Sequence, residues 1–115
     1  MIDFSSSESG DTLVIRVGGQ LDAESNEYFF RCVQDEIEKG HHQIVINCND
    51  LGYVSSVGLG ALVRARSRVA KAGGTIYLCR IESKVLDVFR LVGFDRLFNI
   101  YETEREALAA ISGTG

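Results

Sequence analysis

Two adjacent serines, Ser55 and Ser56, stand in the stretch NDLGYVSSVGLGALV, residues 49–63. Leu59, Leu62 and Val63 open an i, i+3, i+4 apolar spacing behind them, so the serines fall where helix N-caps fall. The first backbone N–H groups of a helix lack intrahelical acceptors. With the macrodipole they favour an anion, so a phosphoryl group on Ser56 is compatible with an intact helix. Gly58 and Gly60 lie in the first turn, where each costs about 1 kcal/mol relative to alanine, and they leave the mouth bare for another protein's active site to approach. A plainer account has the serines only capping the helix and the glycines only allowing tight packing against a strand. Capping serines are common, and spacing alone favours that account.

Other chemistry has weaker signals. Gly58-Leu59-Gly60 begins a GxGxxG pattern, but Val63 replaces the third glycine and no acid follows at the next strand end, which argues against a dinucleotide site. No GxxxxGK[ST], GxSxG or HExxH occurs, so the chain offers no phosphate-cradling loop, nucleophile elbow or zinc-protease helix. Asp22 could act as a general base, yet a helix cap facing outward at a strand–helix corner suffices for it. Cys32, Cys48 and Cys79 are odd in number and far apart; they read as small buried hydrophobes, not as metal ligands or disulfides. His41 and His42 follow Gly40 and read as a solvated turn. The expectation is no catalytic residue, no metal and no cofactor.

The elements that must position the serine corner follow from periodicity. Residues 2–5 form a short first strand and 6–12 a polar turn. Leu13, Ile15 and Val17 mark a second strand that stops at Gly18-Gly19. Asp22 caps a helix over 23–39 with a core stripe of Phe29, Phe30, Val33 and Ile37, and Gly40 ends it. QIVINC (43–48) reads as a central strand buried on both faces. A polar turn then leads to the serines and a helix reaching residue 72. TIYLC (75–79) is the next strand. Ser83 caps a shorter helix with Val85, Leu86, Phe89 and Val92 on its apolar face, ended by Gly93. Residues 97–101 form the last strand, Thr103 with Glu104 and Glu106 opens a helix through 111, and SGTG frays. The order ββαβαβαβα predicts one α/β domain over residues 1–115, with a core at about 12–111. Its mainly parallel mixed sheet has about four to five strands, with about four helices and right-handed crossovers.

Composition sets outer bounds. The 115 residues are 45% hydrophobic and 24% charged, ordinary for one folded domain. A net charge of −4 argues against general binding to nucleic acid or anionic membranes. No apolar run approaches the ~20 residues of a membrane span, and MIDFSSSESGD lacks the basic flank and apolar core of a signal peptide; the expected compartment is the cytoplasm. Charge is segregated. Six acids lie between residues 22 and 39, and four bases with no acid between 58 and 72. Solvated faces account for each, while the asymmetry also suits an orientable docking surface.

Gly19-Gln20-Leu21-Asp22, residues 49–60 (NDLGYVSSVGLG) and 73–79 (GGTIYLC) resemble the STAS-domain anti-sigma factor antagonists of bacteria. The likeness runs over about 13–111 and includes KVLDVFRLVGFDRLF (84–98); the serine corner with its Gly-Leu-Gly is its most specific part. The resemblance implies a protein–protein switch. Such antagonists bind an anti-sigma factor, often a serine kinase, and so free a sigma factor. Phosphorylation of a serine at the N-terminus of the second long helix ends the binding, and a metal-dependent PP2C-type phosphatase restores it. Ser56 falls on that phosphoacceptor position, and Asp22 on an acidic position beside the partner-binding surface. The implied contact residues are Asp22, Ser55, Ser56, Val57, Gly58, Leu59 and Gly60. Sporulation-type members carry an acid directly before the phosphoserine, where this chain has Ser55, which makes Ser55 an alternative acceptor. A STAS module that is never phosphorylated, serving as regulatory subunit of a transport or lipid-trafficking assembly, is the alternative.

Overall fold

The structure is a computed structural model that describes residues 2–113. Its strands are β1 (Ile2–Ser9), β2 (Thr12–Leu21), β3 (Gln43–Val54), β4 (Thr75–Cys79) and β5 (Asn99–Tyr101). Its helices are α1 (Asn26–Glu38), α2 (Ser56–Lys71), α3 (Ser83–Leu91), α4 (Phe94–Leu97) and α5 (Glu104–Ser112). The sheet runs β1-β2-β3-β4-β5, with β1 antiparallel to β2 and every later pair parallel. A chain-order parallel sheet follows from joining neighbouring strands by crossover helices.

Two apolar layers hold it. On one face α1, α2 and α3 cover Leu13, Ile15, Ile44, Ile46 and Leu78 with Phe29, Val33, Ala65, Val69 and Phe89. On the other, α5 closes over Val14, Val45 and Cys79 through Ala107, Leu108 and Ile111. This second layer is why QIVINC is apolar without alternation: Ile44, Val45 and Ile46 are all fully buried. Thr103 forms the capping box with Glu106 at the start of α5.

Several boundaries differ from the sequence expectation. Strand β1 continues through the polar Ser6, Ser7, Glu8 and Ser9, because β2 supplies antiparallel backbone partners as far as Ser9↔Thr12. Strands β2 and β3 run past Gly18-Gly19 and past Asn49: Gly18, Gly19, Gln20 and Leu21 pair with Asp50, Leu51, Tyr53 and Val54. Residues 49–54 are thus a strand end, not a turn. Glu82, not Ser83, caps α3 by accepting from Lys84 N. Residues 94–97 form a fifth helix, which delays the last strand to Asn99. Val92 is 51% exposed, just past the end of α3, and is not a core residue.

Phe30 also leaves the predicted core stripe. It lies only partly buried between α1 and α2, with the guanidinium of Arg64 4.1 Å and that of Arg68 5.6 Å from its ring centre. Arg64 pairs with Glu27 at 2.9 Å, and Arg68 donates to Gln34 at 3.1 Å. Arg66 donates through Nε to the Leu97 carbonyl. The basic helix and the acidic helix therefore meet each other, through the Arg64–Glu27 ion pair, the Arg68–Gln34 bond and the Phe30 ring.

Candidate functional site

The carboxyl ends of β2 and β3 lie side by side, with Leu21 opposite Val54, and the backbone N–H of Ser55 donates to the Leu21 carbonyl at 2.9 Å. This one bond joins the two corners singled out in the sequence, Gln20-Leu21-Asp22 and Val54-Ser55-Ser56. The two serines are not equivalent. Ser55 is the N-cap of α2: its extended backbone (φ −85°, ψ 175°) lets Oγ accept from Gly58 N at 3.1 Å, and its carbonyl accepts from Leu59 N at 2.8 Å. Ser55 is half-buried, whereas Ser56, the first helical residue, is exposed. No acid stands in the first turn of α2, so the positive end of its dipole is not offset from within the helix.

The two glycines have different jobs. Gly58 is buried against β2, where a Cβ would run into the Leu21 carbonyl oxygen and lie 3.0 Å from Leu21 Cγ. Here the close-packing account holds. Gly60 is exposed, with nothing within 4 Å of a built Cβ, so packing does not explain it. It leaves an open step on the outer face of α2, one turn from Ser56. Val57 is 46% exposed, and Leu59 packs against the core.

Asp22 is not the cap of α1. Its Oδ1 accepts from the backbone N–H groups of Glu24 and Ser25 at 3.1 and 3.2 Å, as a cap would, but residues 23–25 form a turn and α1 begins only at Asn26, behind Ser25. Ser25 is drawn away from capping: its hydroxyl donates to the Gln20 carbonyl at 2.7 Å and accepts from Asp22 N at 3.0 Å. The competing local bonds of Asp and Ser side chains delay the helix by one turn. The result is a braced loop that holds the partly buried Asp22 next to Ser55.

The predicted residues Asp22, Ser55, Ser56, Val57, Gly58, Leu59 and Gly60 thus share one end of the sheet, with Gly58 and Leu59 facing inward. Sequence reasoning missed Tyr53, which is 53% exposed immediately before the corner. Its signal was the apolar Val54: once residues 49–54 are read as strand, the buried Val54 places its neighbour Tyr53 on the opposite face, and the register shift between Leu51 and Tyr53 lets Leu51 be buried as well. His42 is exposed as expected, but the half-buried His41 ring lies 3.7 Å from the buried Glu36 carboxylate. Cys48 and Cys79 are buried, and desolvation pushes their thiols up to about 12 and about 11. Among the described residues no cluster of three metal-ligating side chains occurs, and no helix is long and apolar enough to cross a membrane.

Residues 3–107 match the STAS domain. The chain belongs to the STAS domain family. A relative from Thermotoga neapolitana, provisionally named an anti-sigma factor antagonist, is 29% identical over 104 residues, covering 90% of this chain and 92% of its own. A Thermotoga maritima protein of the same provisional name has a solved structure with 27% identity and TM-score 0.89, covering 95% of this chain and 94% of its own. The anti-sigma factor antagonist SpoIIAA, solved in its unphosphorylated form, is 25% identical with TM-score 0.80, covering 96% and 97%; the Bacillus protein is also solved phosphorylated. As a STAS domain, the chain has its serine corner at the carboxyl edge of the parallel strands, where open α/β sheets present their binding groups.

Proposed function

We propose that this chain is an anti-sigma factor antagonist that works as a phosphorylation-controlled binding module. Unphosphorylated, it binds an anti-sigma factor that is also a serine kinase, and so releases a sigma factor. Phosphorylation of Ser56 ends the binding, and a PP2C-type serine phosphatase restores it. The chain does no catalysis of its own in this reading. The observation that carries it is the division of labour at the corner: Ser55 holds the helix cap while Ser56 stands exposed on the first residue of α2. A phosphoryl group on Ser56 leaves the cap intact, whereas one on Ser55 would displace the bond to Gly58 N. The relatives named as anti-sigma factor antagonists support the antagonist reading.

The contact surface in this reading comprises Asp22, Ser56, Val57 and Gly60, with Tyr53 as an aromatic anchor of the type enriched in interfaces. Phosphorylation adds roughly −1.5 to −2 charges, and a like charge across a contact costs several kcal/mol; each ~1.4 kcal/mol is tenfold in affinity. Titration calorimetry against the anti-sigma factor tests it. Ser56→Asp is expected to bind at least tenfold more weakly, and Ser56→Ala to bind like the natural chain yet resist switching off. Equal affinity for all three forms would refute Ser56 as the switch.

A further inference from the structure

We propose a second, separate site: a small oxyanion pocket on the α5 side of the sheet, built by Arg16, Asn47, Asn49 and Arg80, that takes a phosphate group. A cavity of about 220 Å³ lies there, lined by these residues with Val17 and Asp50. It opens because β3 carries a bulge: Arg16 and Gly18 are two residues apart on β2, but their partners Asn47 and Asp50 are three apart on β3. Such a bulge turns side chains out of the regular alternation. Asn47 Oδ1 accepts from Asn49 N at 2.9 Å and fixes the turned-out segment.

Arginines from the two strands flanking β3 reach this cavity. Arg80 follows β4 with φ 59°, the one non-glycine residue of positive φ among the described residues, and such a conformation persists where its surroundings hold it. Its Nη2 donates to Asn49 Oδ1 at 3.1 Å. Arg16 makes only long contacts, to Ser7 Oγ at 3.4 Å and Glu104 at 3.3 Å. A guanidinium has five N–H donors in a fork that matches phosphate oxygens, so both arginines keep donors to spare. Glu104 is further held by Asn47 Nδ2 at 3.0 Å and does not line the cavity. Asp50, which does, accepts from Asn49 Nδ2 at 3.1 Å. The lining carries two positive charges and one negative, and Glu104 behind it pairs with Arg16 at 3.3 Å, so a bound phosphate would take Arg16 donors in competition with that carboxylate. This site stands independently of the serine switch.

Amide NMR of the ¹⁵N-labelled full chain tests it, with inorganic phosphate and AMP titrated at constant ionic strength. Saturable shifts centred on Arg16, Asn47, Asn49, Asp50 and Arg80 are expected, weakened at least tenfold in Arg80→Gly and Arg16→Gln and unchanged in Ser56→Ala. Arg80→Gly keeps a residue suited to φ 59°, so it removes the guanidinium without straining the fold, and an undiminished melting temperature verifies this. Tighter binding of AMP would mean that a nucleoside carries the phosphate; equal binding would mean that the free anion is the ligand. Linear, unsaturated shifts with both probes, or shifts that persist in Arg80→Gly, would overturn the proposal.

Discussion

Replacing Gly58 with alanine tests the account of how α2 is seated. The added methyl would meet the Leu21 carbonyl oxygen head on, with the carbonyl carbon at 2.8 Å and Cγ at 3.0 Å. These are backbone and core atoms that cannot swing aside, so the start of α2 must lift off β2. That shift weakens the Ser55 N to Leu21 carbonyl bond, worth about 1 kcal/mol, and overpacks a site where extra methylenes cost about 1–3 kcal/mol. Against this stands a helix-propensity gain of about 1 kcal/mol for alanine over glycine. The net expectation is a loss of about 1–3 kcal/mol, read as a melting temperature lowered by roughly 5–15 °C. Gly60→Ala is the control: nothing opposes its Cβ, so the propensity gain should appear as increased stability of up to about 1 kcal/mol. Urea unfolding followed by circular dichroism measures both. If Gly58→Ala proved as stable as Gly60→Ala, close helix–strand contact would not be the reason for Gly58.

Two further predictions concern the serines and the thiols. Ser55→Ala removes the cap acceptor of Gly58 N and should cost about 1 kcal/mol, whereas Ser56→Ala should stay within about 0.5 kcal/mol of the natural chain; equal costs in urea unfolding would refute the division of roles. For Cys48 and Cys79, burial raises the folded-state pKa from 9.0 to about 12 and about 11. Above pH 9 the unfolded chain therefore releases protons that the folded chain keeps. Stability is full below pH 9 and falls as pH rises towards 11–12, by about 1.4 kcal/mol per pH unit for each thiol. The slope of unfolding free energy against pH between 9 and 10.5 should be shallower in Cys48→Val; an unchanged slope would refute the burial argument.

The fold was legible where pattern and burial agree. QIVINC, TIYLC and the capping sequence at Thr103 declare their elements because local preference and tertiary packing favour the same state. The misplaced strand boundaries at β1 and β3 share one cause, pairing with β2. Ser6 to Ser9 and Asp50 to Tyr53 are polar or mixed and carry no strand signal, yet β2 offers backbone partners to Ser6 to Ser9 and, across two register shifts, to Asp50, Leu51 and Tyr53. Asp22 misled differently: its carboxylate makes the bonds of a cap, but around a turn that precedes the helix. At the serine corner, spacing located the residues but could not separate Ser55 from Ser56 or Gly58 from Gly60. Those distinctions depend on where Leu21, 34 residues before Ser55 in the chain, places its carbonyl.

The most direct test of the central claim is intact-mass and site-mapping analysis after incubation with ATP and the anti-sigma kinase, for the natural chain, Ser55→Ala and Ser56→Ala. The account predicts one added phosphoryl group in the natural chain and in Ser55→Ala, and none in Ser56→Ala. A phosphoryl group retained in Ser56→Ala and lost in Ser55→Ala would contradict it.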